Sequence, residues 1–184
     1  MSRKETKRQL VHAIFGTGLI GILFFFGKDT SIILGSLALG FGMIISALIK
    51  LGYDIPFFAP LVRIFGRQKE KIPGLGAMHF FLGMLFAIII FEKDIAVGAM
   101  IVAVYGDAAS TIIGSNFGKT KVFKEYSLEG TLAGIIVSFL ALLFFFKPLT
   151  AFAAATAGMV TELLPIDDNL TIPLVSGAVL LVLV

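Results

Sequence analysis

No cysteine occurs in the chain, which excludes a disulfide frame and any thiolate metal site. Charge is also sparse. Charged residues make up 15% of the 184 positions while 58% are hydrophobic, against about 45–50% apolar in a water-soluble domain. With a mean hydropathy of +1.00, that excess reads as one integral membrane domain over residues 1–184. Strong net charge is missing too. The balance is +3, from 15 Lys and Arg against 12 Asp and Glu, which bears on membrane orientation and gives no ground for a nucleic-acid partner. The first apolar run is not followed by a small-residue cleavage site, so no signal peptide is expected.

What the chain has instead is long apolar runs bounded by charge or proline. They cover residues 10–27, 30–50, 74–91, 95–114, 130–146, 148–164 and 170–184, and imply an all-α, polytopic integral membrane bundle of about seven transmembrane helices. A crossing helix needs roughly 20 residues, so the short last run leaves a six-span alternative in which it lies at the interface. Residues 54–71 contain Pro56 and Pro60 with basic residues nearby, and read as an interfacial or re-entrant piece. Sorting the connections by side groups Arg3, Lys4, Lys7, Arg8, Arg63, Arg67, Lys69, Lys71, Lys119, Lys121 and Lys124 together, against Lys28, Lys93 and Lys147. The basic excess places the first side, and the N-terminus, in the cytoplasm. Gly35, Gly40 and Gly42 could serve helix contacts within one copy or between copies of a homo-oligomer.

Ionisable groups inside the apolar runs are rare, and Asp107 stands out among them. A charged side chain deep in lipid costs on the order of 3 kcal/mol or more. With Gly106, Ala108 and Ala109 around it, the carboxylate suits a magnesium ligand or a proton acceptor. The run continues through Ser110 and Gly114 to Gly118 and Lys119. There, glycines would let backbone approach a phosphate and the lysine could pair with it. Close helix packing through small residues explains the glycines well, but not the acid. The loop that follows carries Lys119, Lys121 and Lys124, which suit a triphosphate, and Ser127 with Glu129, which suit the cap of the next helix. An ordinary positive-inside loop has the same look. Residues 162–169 hold Glu162, Asp167, Asp168 and Asn169, hard oxygen donors of the kind magnesium takes; a solvated turn beside Pro165 is the plain alternative. His12 adds a titratable group at the start of the first span. His79, beside Phe80 and Phe81, reads as structural or substrate-lining. Nearly all of these fall on the cytoplasmic side, where a site can reach a soluble nucleotide and a lipid at once.

In order along the chain, these stretches resemble the polyprenol kinase family. That family includes dolichol kinase, phytol kinase and CTP-dependent diacylglycerol kinases, and is related to phosphatidate cytidylyltransferases. Glu5, Arg8 and His12 resemble its opening motif, with Gln9 where lysine is usual. Gly106, Asp107, Ser110, Gly114, Gly118 and Lys119 resemble its central motif. Ser127, Glu129, Gly130 and Thr131 resemble the third, with Tyr126 at a lysine position, and Glu162, Asp168, Asn169 and Pro173 the last.

The resemblance implies a lipid kinase that moves the γ-phosphate of CTP to the hydroxyl of a long-chain lipid alcohol, of polyprenol, dolichol, phytol, geranylgeraniol or diacylglycerol type. It implies magnesium held by Asp107, Glu162 and Asp168. Arg8, Gly106, Ser110, Gly114, Gly118, Lys119, Lys121, Lys124, Ser127 and Asn169 would bind the nucleotide. Asp107, Glu129 and His12 would be catalytic, the last two orienting or deprotonating the hydroxyl. The expected partners are CTP, the lipid alcohol and the surrounding membrane lipids. A cytidylyltransferase acting on a lipid phosphate is the rival within the same chemistry. A small ion- or proton-coupled transporter is the rival from another class, but it needs polar groups through the whole membrane depth, and the outer half holds almost none.

Overall fold

The computed structural model describes residues 3–56, 58, 72–123 and 126–184. Helices account for nearly all of it. Helix α1 is Arg3–Lys50, α2 is Leu75–Ile90 and α3 is Lys93–Ile101. A π-helical stretch, Val102–Gly106, carries α3 directly into α4, Asp107–Phe117. Two short strands, β1 (Lys121–Phe123) and β2 (Tyr126–Ser127), precede α5, Leu128–Leu142. Helix α6 is Pro148–Val160, a 3₁₀ turn covers Thr161–Leu163, and α7 is Asp168–Leu183.

Helix α1 is two rods. Gly27 sits at φ 83°, ψ −179°, a conformation open to glycine and costly for residues bearing a Cβ. A straight helix would put His12 and Ser46 about 50 Å apart. Yet the His12 ring packs on Phe80 at 4.2 Å, and Ser46 Oγ donates to Pro73 O at 2.6 Å. Residues 73 to 80 can span at most roughly 25 Å, so the chain must fold back at Gly27. The rod before Gly27 runs alongside α2 in the same direction, since Lys28 Nζ reaches Phe91 O at 2.8 Å. The rod after it returns, and Leu85 fills the space beside Gly35. That glycine therefore serves contact within one copy, whereas nothing lies within 4 Å of a Cβ at Gly40 or Gly42.

The continuous α3–π–α4 rod is the centre of the bundle. Ala96, Val97, Ala99, Met100, Val102 and Val104 are almost wholly buried against Leu23, Met84, Ile88, Leu142, Met159 and Leu180 of the surrounding helices. Small residues let the helices approach closely at their contacts. Gly83 shows the principle: the carbonyl oxygen of Asn169 occupies the place a Cβ would take, so any side chain there would part α2 from α7.

Local signals explain the ends. Pro148 opens α6 at a position where a missing N–H is harmless. Ser127 caps α5 by accepting from Gly130 N at 3.2 Å. Asp167 caps α7 through Asn169 N at 3.1 Å. The region expected as a plain loop ahead of α5 instead carries the antiparallel β1–β2 pair, with Lys121 opposite Ser127 and Phe123 opposite Tyr126; Val122, Phe123 and Tyr126 are residues with high strand preference. The expected interfacial piece at 54–71 lies mostly outside the described residues, as do Arg63, Arg67, Lys69, Lys71 and Lys124.

The outer surface is apolar. Phe25, Phe26, Leu37, Phe144 and Leu149 are each at least 65% exposed, and large apolar side chains are exposed along α1, α2, α5, α6 and α7, an extent that marks contact with lipid or a partner. Two stretches, Thr6–Lys50 and Lys93–Phe117, are long and apolar enough to cross a bilayer, while Leu75–Ile90, Leu128–Leu142 and Asp168–Leu183 are shorter apolar helices.

The bundle has two distinct ends. At the head lie the starts of α1, α2, α5 and α7, the end of α4, the β pair and the 3₁₀ turn. At the base lie Gly27, the α2–α3 turn, the α5–α6 turn and the end of α7.

Candidate active site

The head collects the polar groups. Asp107 is the first residue after the π-helical stretch, and only 8% exposed. Such single-turn bulges shift a helix face by one residue and are frequent at functional sites. Its Oδ2 lies 3.8 Å from His12 Nε2, and Thr111 Oγ1 donates to its Oδ1 at 3.4 Å. The His12 ring also stands 3.5 Å from Ala103 O, the carbonyl one turn before Asp107. His12 and Asp107, 95 positions apart in the sequence, therefore form one unit across α1 and α4.

A second unit forms one turn farther along α4. Ser110 Oγ donates to Glu162 Oε1 at 3.0 Å, and Thr131 Oγ1 donates to the same oxygen. Glu162 is 1% exposed. Its other oxygen, Oε2, is buried without a hydrogen-bond partner among the described residues. A buried carboxylate oxygen left open is costly, so this atom is where a cation or donor from a ligand fits.

The third unit is Asp168. Its Oδ2 accepts from the Tyr126 hydroxyl at 2.8 Å, which ties β2 to the start of α7. Its Oδ1 accepts from Asn169 N at 2.9 Å and Asn169 Nδ2 at 3.1 Å. Asn169 thus spends its amide on Asp167 and Asp168. Beside it, Asp167 Oδ2 meets His79 Nδ1 at 2.6 Å.

Asp107, Glu162 and Asp168 thus share one end of the bundle in three separate settings. Among the described residues no three His, Asp or Glu side chains converge as a ready-made metal cage. Magnesium commonly takes only one or two protein carboxylates and completes its shell with phosphates and water, so this donor set fits a cation brought in with a nucleotide.

The glycines have a different place. A Cβ at Gly106 would meet Ser138 and Met159, one at Gly114 would meet Ser127 and Gly130, and one at Gly118 would meet Gly114 O and Ser127. The Gly118 N–H is already donated to Gly114 O at 3.1 Å. The close approach these glycines permit is between α4 and α5. Ser127 is buried at 1% exposure as the α5 cap. Glu129, just ahead of the apolar run at 130–146, accepts from Thr120 N at 3.1 and 3.2 Å. Its own backbone N–H first, then Thr120 and the Lys119 N–H, hold its carboxyl below the usual glutamate value. That carboxylate clips the loop to α5. Lys119 and Lys121 are exposed beside it, and Arg8, one turn before His12, is half-buried.

Three partners escaped sequence reasoning as ligand-orienting groups: Thr131 for Glu162, Tyr126 for Asp168 and Asp167 for His79. The first two lie within the third motif; nothing in the sequence ties His79 to Asp167.

No family model matches the chain, and no solved structure matches it. A stretch of 82 residues is 28% identical to a CTP-dependent diacylglycerol kinase of Eremothecium gossypii, covering 44% of this chain and 26% of that one. The similarity to a kinase is therefore partial and spans about a quarter of that protein. A second similarity runs almost end to end. Over 178 residues the chain is 33% identical to the uncharacterized protein MJ1137 of Methanocaldococcus jannaschii, covering 94% of this chain and 90% of that one. On identity of that level and extent, the chain belongs to the same family as MJ1137 of Methanocaldococcus jannaschii.

Proposed function

We propose that the chain is a single membrane-embedded catalytic domain that transfers the γ-phosphate of CTP to the hydroxyl of a long-chain lipid alcohol. The observation that carries this reading is the gathering of three buried acids at one end of an otherwise apolar bundle: Asp107, Glu162 and Asp168, at 8%, 1% and 6% exposure. The partial likeness to a CTP-dependent diacylglycerol kinase supports the donor and the acceptor class.

Phosphoryl transfer asks a protein mainly for in-line positioning and neutralised charge. Asp107, together with either Glu162 through its open Oε2 or Asp168, would hold magnesium, one or two carboxylates being its usual protein share. Bound magnesium supplies charge neutralisation on the triphosphate and on the transferring group. Ser110 and Thr131 fix Glu162 in place, His12 holds Asp107, and Tyr126 holds Asp168, so the acids are set before a nucleotide arrives. Arg8, Lys119, Lys121 and Lys124 supply positive charge for the phosphates. Ser127, Asn169 and the glycines act on the nucleotide through the loop and helix ends they shape.

In this reading the seven apolar runs all span the membrane, with the site and N-terminus on the cytoplasmic side. Lys7, Arg8, Lys50, Lys119 and Lys121 lie at the head, against Lys28, Lys93 and Lys147 at the base, as expected for a cytoplasmic head. The lipid tail stays among apolar helices while its hydroxyl reaches the head.

The test is direct. Purified protein in lipid nanodiscs is given γ-labelled CTP, magnesium and a panel of lipid alcohols plus one lipid phosphate, and products are read by mass. Lipid phosphate and CDP are expected. Pyrophosphate with a CDP-lipid would mean cytidylyl transfer instead, and no CTP consumption with any lipid would end the reading.

A further inference from the structure

The pair His79–Asp167 belongs to none of the units assigned so far. His79 lies in the second turn of α2, and Asp167 is the cap of α7. Asp167 Oδ1 is committed to Asn169 N at 3.1 Å, which leaves Oδ2 for His79 Nδ1 at 2.6 Å. A carboxylate only accepts, so Nδ1 carries the proton and the lone pair of the neutral ring is on Nε2. Nε2 has no hydrogen-bond partner among the described residues.

Two features set this pair apart from the buried acids. Its side chains are 31% and 22% exposed, so a substrate can reach the ring. It also adjoins both flanks of the head. Phe80, next after His79, packs on His12, and Asp168, next after Asp167, holds Tyr126. Where α2 and α7 touch at Gly83 and Asn169, one turn below His79, neither helix can shift without disturbing the pair.

We propose that His79, oriented by Asp167, is the base that takes the proton of the lipid hydroxyl. This rests on the kinase reading above. The hydroxyl oxygen forms a bond to the γ-phosphorus, the bond from that phosphorus to the β–γ bridging oxygen breaks, and CDP leaves with the electron pair. The hydroxyl proton passes to Nε2, Asp167 balances the imidazolium, and the proton is then released to water. The assignment moves general-base duty away from Glu129, which is tied to Thr120, and from His12, which faces Asp107.

The experiment compares wild type, His79→Gln, His79→Ala and Asp167→Asn in nanodiscs, measuring lipid phosphorylation and, separately, CTP binding by equilibrium dialysis with magnesium. His79→Gln should lose roughly 10²- to 10⁴-fold in kcat while binding CTP as wild type does. Asp167→Asn should lose roughly 10- to 100-fold, as expected for a group that orients another. Added imidazole should restore part of the His79→Ala rate. If wild type transfers phosphate and His79→Gln stays within threefold of it, the base assignment falls and the kinase reading stands. Loss of CTP binding together with transfer in His79→Gln likewise overturns the assignment, since it marks a structural role. If wild type transfers no phosphate at all, the kinase reading falls and takes this one with it.

Discussion

The head and the base of this bundle are built from the same apolar helices, yet they use charge in opposite ways. At the base, the ionic groups that make contacts close off a piece of backbone or cover a ring. Lys28 caps the end of α2 through Phe91 O, and Lys93 stands over the Phe24 ring at 5.5 Å. Aromatic rings seal the rest, Phe91 against Gly177 and Phe146 against Gly98. At the head, polar groups are left partly open: buried Glu162 keeps one oxygen unpartnered among the described residues, and the part-exposed His79 ring keeps one nitrogen free of protein partners there. Charge that only holds the fold is satisfied. Charge kept in reserve at the cost of stability points to a ligand.

Breaking that contrast is most direct at Asp107. Asp107→Asn keeps an acceptor for Thr111 and the shape of the helix, and removes the charge. Lipid phosphorylation should fall roughly 10²- to 10³-fold, the usual loss when one preorganised charge is removed from a transition state. Undiminished transfer in this variant, measured with γ-labelled CTP, would end the metal role of the head.

The Glu162 unit gives the next largest effect, and it separates fold from function. In Glu162→Ala the Ser110 and Thr131 hydroxyls lose their shared acceptor, which should cost about 1–3 kcal/mol. In Glu162→Gln both hydroxyls keep a carbonyl to donate to, and the unpaired charge is gone. Thermal unfolding in detergent should therefore drop for the alanine variant and hold for the glutamine variant, while transfer falls in both. A glutamine variant with full transfer would show that the open oxygen serves packing alone.

Part of this was legible from the chain alone. The break at Gly27 falls between two apolar runs separated by Lys28 and Asp29, and the cost of Asp107 in an apolar segment marked it without any partner in view. The partners were not legible. Ser110 reaches Glu162 across 52 positions, Thr131 across 31 and His79 reaches Asp167 across 88, and each contact exists only because helices cross at a particular height. The π-helical turn is hidden for another reason: Val102, Ala103, Val104 and Tyr105 have the composition of any buried helix, and the extra residue in the turn is a property of packing. Gly106, Gly114 and Gly118 suit backbone approach to a phosphate, and they do permit close approach, but to α5 and its neighbours.

The base supplies a smaller effect of opposite kind. Lys28→Met keeps the apolar stem and deletes the charged donor to Phe91 O. A cation at a helix C-terminus with one hydrogen bond contributes about 1–2 kcal/mol, so unfolding should shift by that amount while transfer stays within twofold. A folded Lys28→Met protein that no longer phosphorylates lipid would erase the distinction between the two ends.

The smallest effect tests a boundary within the head, between groups that act on a ligand and groups that hold a loop. Glu129 accepts from the Thr120 N–H, and these backbone donors keep its carboxyl below its ordinary value, about 4.3 in an unstructured chain. Because the folded value is the lower one, the clip is fully present above the unfolded value and is lost as pH falls through the folded one. Amide exchange at Thr120, corrected for its intrinsic pH dependence, should show constant protection near neutrality and a step downward in that acid range. Glu129→Gln retains one acceptor oxygen and removes the titration, so the step should vanish while lipid phosphorylation at neutral pH changes by less than about threefold, within the range of a lost exposed contact. A loss of a hundredfold or more in this variant, with CTP still bound, would instead return Glu129 to the chemistry and leave the β1–β2 loop as part of the catalytic surface.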